Sequence, residues 1–246
     1  CTLLSEVYLS IPITFMVSET ATIMLGKYPQ LHLIPQSNQI RLLHSRIRDA
    51  SSSREDFVFF ADRLIRLIVE EGLNLVPLVE QIIDTPTKIP YAGVRHTQGI
   101  CGVSIMRAGE SMEQALRETC RGARIGKILI QRDESTAEKA PDARFSYSKV
   151  PLDIHERVVF LLDPMLATGG SAIKAAEILI EKYHVKEENI IFLNVVSVPQ
   201  GLHNLTTRFP KMRIVTSAID EGLNEEKYIL PGLGDFGDRY FGTTHQ

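Results

Sequence analysis

The chain has 246 residues, 44% of them hydrophobic and 23% charged, with a formal net charge of -3. This is ordinary globular composition, enough for one large domain or a domain with an appended arm, and it lacks the basic segment a nucleic-acid binder presents. The three cysteines, Cys1, Cys101 and Cys120, form neither a CxxC nor a His/Cys cluster, which argues against a disulfide framework or structural zinc and for a reducing, cytoplasmic location.

The start, "VYLSIPITFMV", is apolar, but no basic stretch precedes it, so a secretory leader is not expected. No apolar run reaches the ~18 residues of a membrane span. The chain opens on Cys1 rather than Met, as a piece of a longer gene product would. Residues 1–26 form an unassigned extension, and the folded unit is expected over 27–246. In "SSSREDFVFFADRLIRLIVEEGLN", Ser52 and Glu55 have capping-box spacing and Gly72 is the expected stop. Phe57, Phe60, Ala61, Leu64 and Ile68 recur at helical spacing, as in a packing helix.

From residue 100 strands and helices alternate. "ICGVSIM" predicts a strand, "GESMEQALRETC" a helix and "GKILIQ" a strand. A polar stretch over 132–153 has the length of a lid or arm. "RVVFLLD" predicts a strand, "SAIKAAEILIEKYH" a helix, "NIIFLNVVSV" a strand, "PQGLHNLTTRF" a helix and "MRIVTSAI" a strand. Continuous apolar strands separated by amphipathic helices predict an α/β fold with a mostly parallel sheet covered on both faces. Ligands in such sheets sit at the carboxyl ends of the strands. The loops after Met106, Gln131 and Asp163 are therefore expected to converge.

"LLDPMLATGGSAIKA" (161–175) places a carboxylate at a strand end and a Gly-rich turn at a helix start. Such a turn gathers free N–H groups and the positive end of a helix dipole, which makes an anion site. Gly169 and Gly170 would admit the anion, and the hydroxyls of Thr168 and Ser171 would add donors. Neither GxxxxGK[ST] nor GxGxxG is present. A carboxylate beside a phosphate cradle suits a ribose 5-phosphate, since Asp163 can accept from both neighbouring sugar hydroxyls. Arg107 follows one strand and Arg132 the next, and two arginine forks suit a second polyanion. In "YILPGLGDFGDRYFGT" (228–243), glycines and Pro231 would fix an irregular backbone whose own groups meet a flat ligand, with Tyr228 or Phe236 against its face.

"DPMLATGGS", "SIMRAGESM", "ILIQRDE" and "PGLGDFGDRYFG", in this order, resemble uracil phosphoribosyltransferases, most of all their fungal and other eukaryotic branch. The resemblance covers roughly residues 27–243. Many type I phosphoribosyltransferases carry two adjacent acids at the phosphate motif, whereas here the second is Pro164, the uracil-enzyme pattern. The resemblance implies a type I phosphoribosyltransferase fold with an extended loop or β-arm over the site and a C-terminal base-binding loop. It implies transfer of the phosphoribosyl group from 5-phosphoribosyl 1-diphosphate (PRPP) to uracil, with Mg²⁺, giving UMP and diphosphate.

By the same resemblance, PRPP would be held by Arg107, Arg132, Asp163, Pro164, Met165, Leu166, Ala167, Thr168, Gly169, Gly170, Ser171 and Asp235. Uracil would be held by Tyr228, Ile229, Gly234, Asp235 and Phe236, and Asp235 would face the metal. No general base is singled out. Some relatives respond to GTP, and Arg54 and Arg63 fall at the matching positions. Nine residues apart, they lie on opposite helix faces, so a shared nucleotide would have to sit between subunits of a homodimer or homotetramer. No nucleic-acid or membrane partner is expected. Rival readings are a transferase for another nucleobase, an RNA-binding regulator on the same fold, and a silent relative of the kind fused to a uridine kinase.

Overall fold

The computed structural model describes residues 18–132 and 143–243. Helix α1 (Glu19–Lys27) is capped by Ser18 and buries Ala21 and Met24, so the part of the N-terminal extension from Glu19 onward belongs to the packed unit. Strand β1 (Leu31–Leu33) follows, then α2 (Asn38–Arg48), capped by Ser37, and α3 (Arg54–Leu73). Two details of α3 differ from the sequence reading. The cap is Ser53, whose Oγ accepts from the Asp56 amide at 3.1 Å, one residue beyond Ser52. Gly72 does not stop the helix but lies within it, where a Cβ would stand 2.9 Å from Leu193 Cδ2. The glycine lets α3 press against the sheet.

A hairpin of β2 (Leu78–Asp84) and β3 (Pro90–His96) comes next, antiparallel and exposed along both strands. The sequence reading assigned nothing there. Strand β4 (Ile100–Met106) leads into a 3₁₀ turn (Ala108–Met112) and a short α4 (Glu113–Thr119), where one continuous helix was expected. Strand β5 (Arg124–Arg132) returns as β6 (Ala143–Lys149), so part of the polar stretch over 132–153 is a strand and not irregular. The remainder of the expected arm, 133–142, lies outside the described residues. Strands β7 (Val158–Leu162) and β8 (Met165–Leu166), helix α5 (Gly170–Glu181), β9 (Ile190–Ser197), α6 (Pro199–Arg208) and β10 (Arg213–Ile219) complete the alternation. The tail forms β11 (Gly222–Leu223), β12 (Ile229–Leu230) and α7 (Phe236–Phe241).

The main sheet runs β1-β10-β9-β7-β4-β5-β6, with β8 also on β9. All its pairs are parallel except β5 with β6. One core packs α1, α5 and α6 on one face, and a second packs α2, α3 and α4 on the other. Double cover explains why β7 (VVFLL) and β9 (IIFLNVVS) are buried at every position. Strand β4 crosses through α4 to β5 on one side, and β7 crosses through α5 to β9 on the other. The order therefore reverses between the neighbours β4 and β7, which opens a crevice at their carboxyl ends.

Candidate active site

The crevice holds Met106, Arg107, Ile130, Asp163, Ser171, Asp235 and Gly237 around a volume of about 190 Å³. Four segments distant in sequence thus meet: the strand ends at Met106, Ile130 and Asp163 come together as the strand-end argument predicts, and the tail at Asp235 and Gly237 joins them.

Arg107 leaves the end of β4 through a cis Met106–Arg107 peptide. Gly109, two residues on, would place a Cβ 2.2 Å from the Leu162 carbonyl, so only glycine lets this turn close on the end of β7. The Arg107 guanidinium donates to Asp238 Oδ1 and Thr243 Oγ1, each at 2.6 Å, and lies 5.9 Å from the Phe241 ring. The C-terminal helix therefore holds this arginine at the crevice. The Arg132 backbone stands at the tip of β5, opposite Ala143.

After Asp163 the chain stays with the sheet before turning. The Pro164 carbonyl accepts from the amides of Val195 and Val196, at 2.9 and 3.0 Å, and Met165 and Leu166 pair with Val196 and Ser197. Pro164 is buried, and Leu166 is 1% exposed, so their side chains pack into the fold and do not line the crevice. The left-handed residue of the turn is Gly169, with φ 86°, while Gly170 is the first residue of α5.

Two residues of α6 support the 167–171 turn. A Cβ on Gly201 would come within 2.5 Å of the Ala167 carbonyl, and Asn204 Nδ2 donates to the Thr168 carbonyl at 3.0 Å. Sequence reading missed both. The available signal was a glycine in the first turn of a predicted helix, a residue that disfavours helix and so needs a packing reason.

The tail corrects one assignment. Phe236 is 2% exposed. Its ring meets Phe57 edge-on at 5.2 Å and stacks on Tyr240 at 5.8 Å. Its ring is packed in the core and does not line the crevice, where the tail is represented by Asp235 and Gly237, so the ring is not placed against a flat ligand as the sequence suggested. Tyr228 is exposed, and its amide donates to Asn224 Oδ1 at 2.8 Å. Asp235 caps α7, its Oδ1 accepting from the Asp238 amide at 2.8 Å. The loop between carries Gly232 and Gly234 at φ 62° and 82°.

Arg54 and Arg63 have separate neighbours. Arg54 Nε donates to the Tyr240 carbonyl at 3.0 Å, whereas Arg63 donates to Gln39 Oε1 at 3.0 Å and lies 5.7 Å from the Phe59 ring. Burial pushes the Cys101 thiol up to about 12, so it offers no thiolate. Among the described residues no three His, Cys, Asp or Glu side chains gather to hold a metal ion, and no helix is long and apolar enough to cross a membrane.

A doubly covered, mostly parallel sheet with a Gly-rich turn and a carboxylate at its switch point is the architecture of the type I phosphoribosyltransferases. The family model for uracil phosphoribosyltransferase matches residues 34–243. Over 214 residues the chain is 55% identical to uracil phosphoribosyltransferase of Saccharomyces cerevisiae, covering 87% of this chain and 97% of that protein. It is 56% identical over 220 residues to uracil phosphoribosyltransferase 1 of Schizosaccharomyces pombe, covering 89% and 98%. Among solved structures, the AQ2163 protein from Aquifex aeolicus superposes with a TM-score of 0.75 at 27% identity, covering 88% of this chain and all of that one. The chain belongs to the uracil phosphoribosyltransferase family.

Proposed function

We propose that the chain transfers the phosphoribosyl group of PRPP to uracil, giving UMP and diphosphate in pyrimidine salvage. The observation that carries this reading is the meeting of Arg107, Asp163, Ser171 and Asp235 in one crevice. Residues 167–171 cradle the 5′-phosphate and Asp163 accepts from the ribose hydroxyls. Pro164, Met165 and Leu166 contribute backbone that sets the depth of the cradle. Arg107 and Arg132 bind the diphosphate, Arg107 sharing its fork between Asp238 and the ligand. The backbone of Ile229, Gly234 and Phe236 reads the edge of uracil, with Tyr228 at its rim.

The C1′–oxygen bond to diphosphate breaks as positive charge grows on the sugar, and uracil N1 forms the new bond and releases its proton to solvent. Asp163 and Asp235 present carboxylates to that positive charge, and the arginines neutralise the departing diphosphate. The carboxylates of Asp163 and Asp235 at the crevice fit a Mg²⁺ held largely by oxygens of the substrate. When bound, Mg²⁺ supplies charge neutralisation to the leaving group. UMP formation from PRPP with each nucleobase in turn tests the reading: uracil should be converted, and adenine, hypoxanthine and orotate should not.

The catalytic unit is taken to extend over 27–246, with α1 packed onto it. A cytoplasmic location fits the two free cysteines, Cys101 and Cys120. A homodimer or homotetramer fits the β2–β3 hairpin, which exposes Ile82, Ile89, Tyr91 and Val94 by 58–67%. An isolated two-stranded hairpin is marginal in water, and a second copy would cover it. GTP between subunits would engage Arg54 of one and Arg63 of another. On that basis GTP should shift either the sedimentation profile or the rate; a flat response in both would remove Arg54 and Arg63 from any effector site.

The positive φ at Gly169 moves the sensitive position of the cradle from Gly170. Gly169→Val places a β-branched side chain in a left-handed conformation, with its Cβ 3.3 Å from the Gly201 carbonyl. It should raise the KM for PRPP about tenfold or more. Calorimetric binding of PRPP equal to that of the parent protein would make the turn purely structural.

A further inference from the structure

The loop assigned to the base is held by a network that the reaction itself does not require. Arg48, in the last turn of α2, grips both oxygens of Asp220 with both terminal nitrogens, at 2.7 and 2.8 Å. Asp220 follows β10 and is 6% exposed. Its amide donates to the Ser197 carbonyl at 2.8 Å, which fixes it to the sheet. The same pair takes both backbone groups of Gly232. Arg48 donates to the Gly232 carbonyl at 2.9 Å, and Asp220 Oδ2 accepts from the Gly232 amide at 2.9 Å. Gly232 cannot be replaced in this turn, since a Cβ would stand 2.1 Å from the Ile229 carbonyl.

Behind Arg48 the network reaches the middle of the sheet. Arg48 Nε always carries a proton, so His44 Nδ1 accepts from it, at 3.4 Å. His44 Nε2 must then donate to Ser217 Oγ at 3.0 Å, and Ser217 Oγ donates to the Val195 carbonyl at 2.6 Å. Arg48, His44 and Ser217 are thus linked donor to acceptor as far as the Val195 carbonyl. The His44 ring is neutral, its pKa lowered to about 4 by burial and by the neighbouring Arg48 charge.

A second arginine ties the far side of the loop to the same helix end. Arg239 donates to the Leu233 carbonyl at 2.7 Å and to the carbonyls of Ile47 and Asp49 at 2.5 and 2.8 Å. Residues 232 and 233 are therefore clamped from two directions, between Ile229 on one side and Gly234 on the other. A backbone that reads a base by hydrogen bonds discriminates only while it holds its spacing, because a loop free to shift can re-pair with the wrong edge.

We propose that Arg48 and Asp220 are positioning residues for base selection, which act through Gly232 to hold the loop 229–236 at the spacing that recognises uracil. The proposal rests on the assignment of that loop to uracil. Asp220→Asn keeps the volume and one acceptor but loses the bidentate charged pairing. Arg48→Lys keeps the positive charge but loses the fork.

Both variants, in the full chain, are measured for KM of uracil, KM of PRPP, the uracil-to-cytosine ratio of kcat/KM, and thermal midpoint. The expected result is a rise of about tenfold or more in KM for uracil, KM for PRPP within about twofold, and a fall of about tenfold in the discrimination ratio. A lowered midpoint with both KM values and the ratio unchanged would make the network structural only and overturn the proposal. An equal rise in both KM values would overturn it too, since the crevice as a whole would then have moved. If neither variant folds, hydrogen exchange of the parent protein without ligand decides. The segment 229–235 should be protected, and exchange at the rate of a free loop would sink the idea. A parent protein that makes no UMP from uracil would instead defeat the assignment of the base loop.

Discussion

Asp235→Asn is expected to lower kcat by roughly 10²-fold or more with little change in thermal stability. The substitution separates the helix cap that this carboxylate makes from the catalytic role proposed for it. Asp235 Oδ1 caps α7 by accepting from the Asp238 amide, and the same side chain lines the crevice with Asp163. Alanine would confound the two, since losing a cap costs about 1 kcal/mol. Asparagine caps as well as aspartate, so only the charge is removed. In the proposed reaction that charge would face a sugar carbon that becomes positive as diphosphate leaves, and a fixed group aimed at developing charge in such a site is worth roughly 3–4 kcal/mol. The comparison needs steady-state rates beside thermal unfolding for Asn and Ala. If Asp235→Asn keeps kcat within about twofold while Asp235→Ala loses stability, Asp235 is a helix cap and nothing more.

What could be read in advance follows from where residues are buried. Strands β7 and β9 and helix α5 were legible because double cover demands continuous apolar strands and leaves helices to carry the polarity. The convergence of Arg107 and Asp163 was legible for a topological reason, since strand ends next to the switch point share one crevice. The hairpin β2–β3 left no signal because both of its faces are exposed, so burial imposes no alternation on its sequence. Helix α7 hid inside a Gly-rich, aromatic stretch, and its start depends on a cap that looked like a ligand group. Aromatic content pointed to a ring beside the loop, but only packing shows that the space between Phe57 and Tyr240 takes the ring of Phe236. The two glycines of the turn are equivalent in sequence, and only the backbone shows that Gly169 takes the positive φ. Gly201 and Asn204 act across more than thirty positions of chain, through contacts that no local pattern encodes.

Uracil and analogues with a small substituent at C5, such as 5-fluorouracil, are expected to be accepted, and cytosine to be rejected by a factor of roughly 30 to 10⁴. The loop from Ile229 to Phe236 is irregular backbone, fixed by Gly232 and Gly234 at positive φ and by the buried ring of Phe236. On the proposed function, such a backbone would offer an N–H to the oxygen at C4 of uracil and a C=O to the proton at N3. Cytosine inverts both contacts, because an amino group replaces the oxygen and N3 has no proton. The donor would then meet a donor and the acceptor an acceptor. Two such mismatches at about 1–3 kcal/mol each give the stated range. A side chain could rotate to rescue the pairing, but a backbone held at Gly232 by Arg48 and Asp220 cannot. The C5 position lies off the C4–N3 edge, so on this reading a fluorine there would leave both contacts intact. Parallel kcat/KM values for uracil, 5-fluorouracil and cytosine at saturating PRPP decide the matter, and cytosine turned over within about threefold of uracil would show that the loop does not read the base edge.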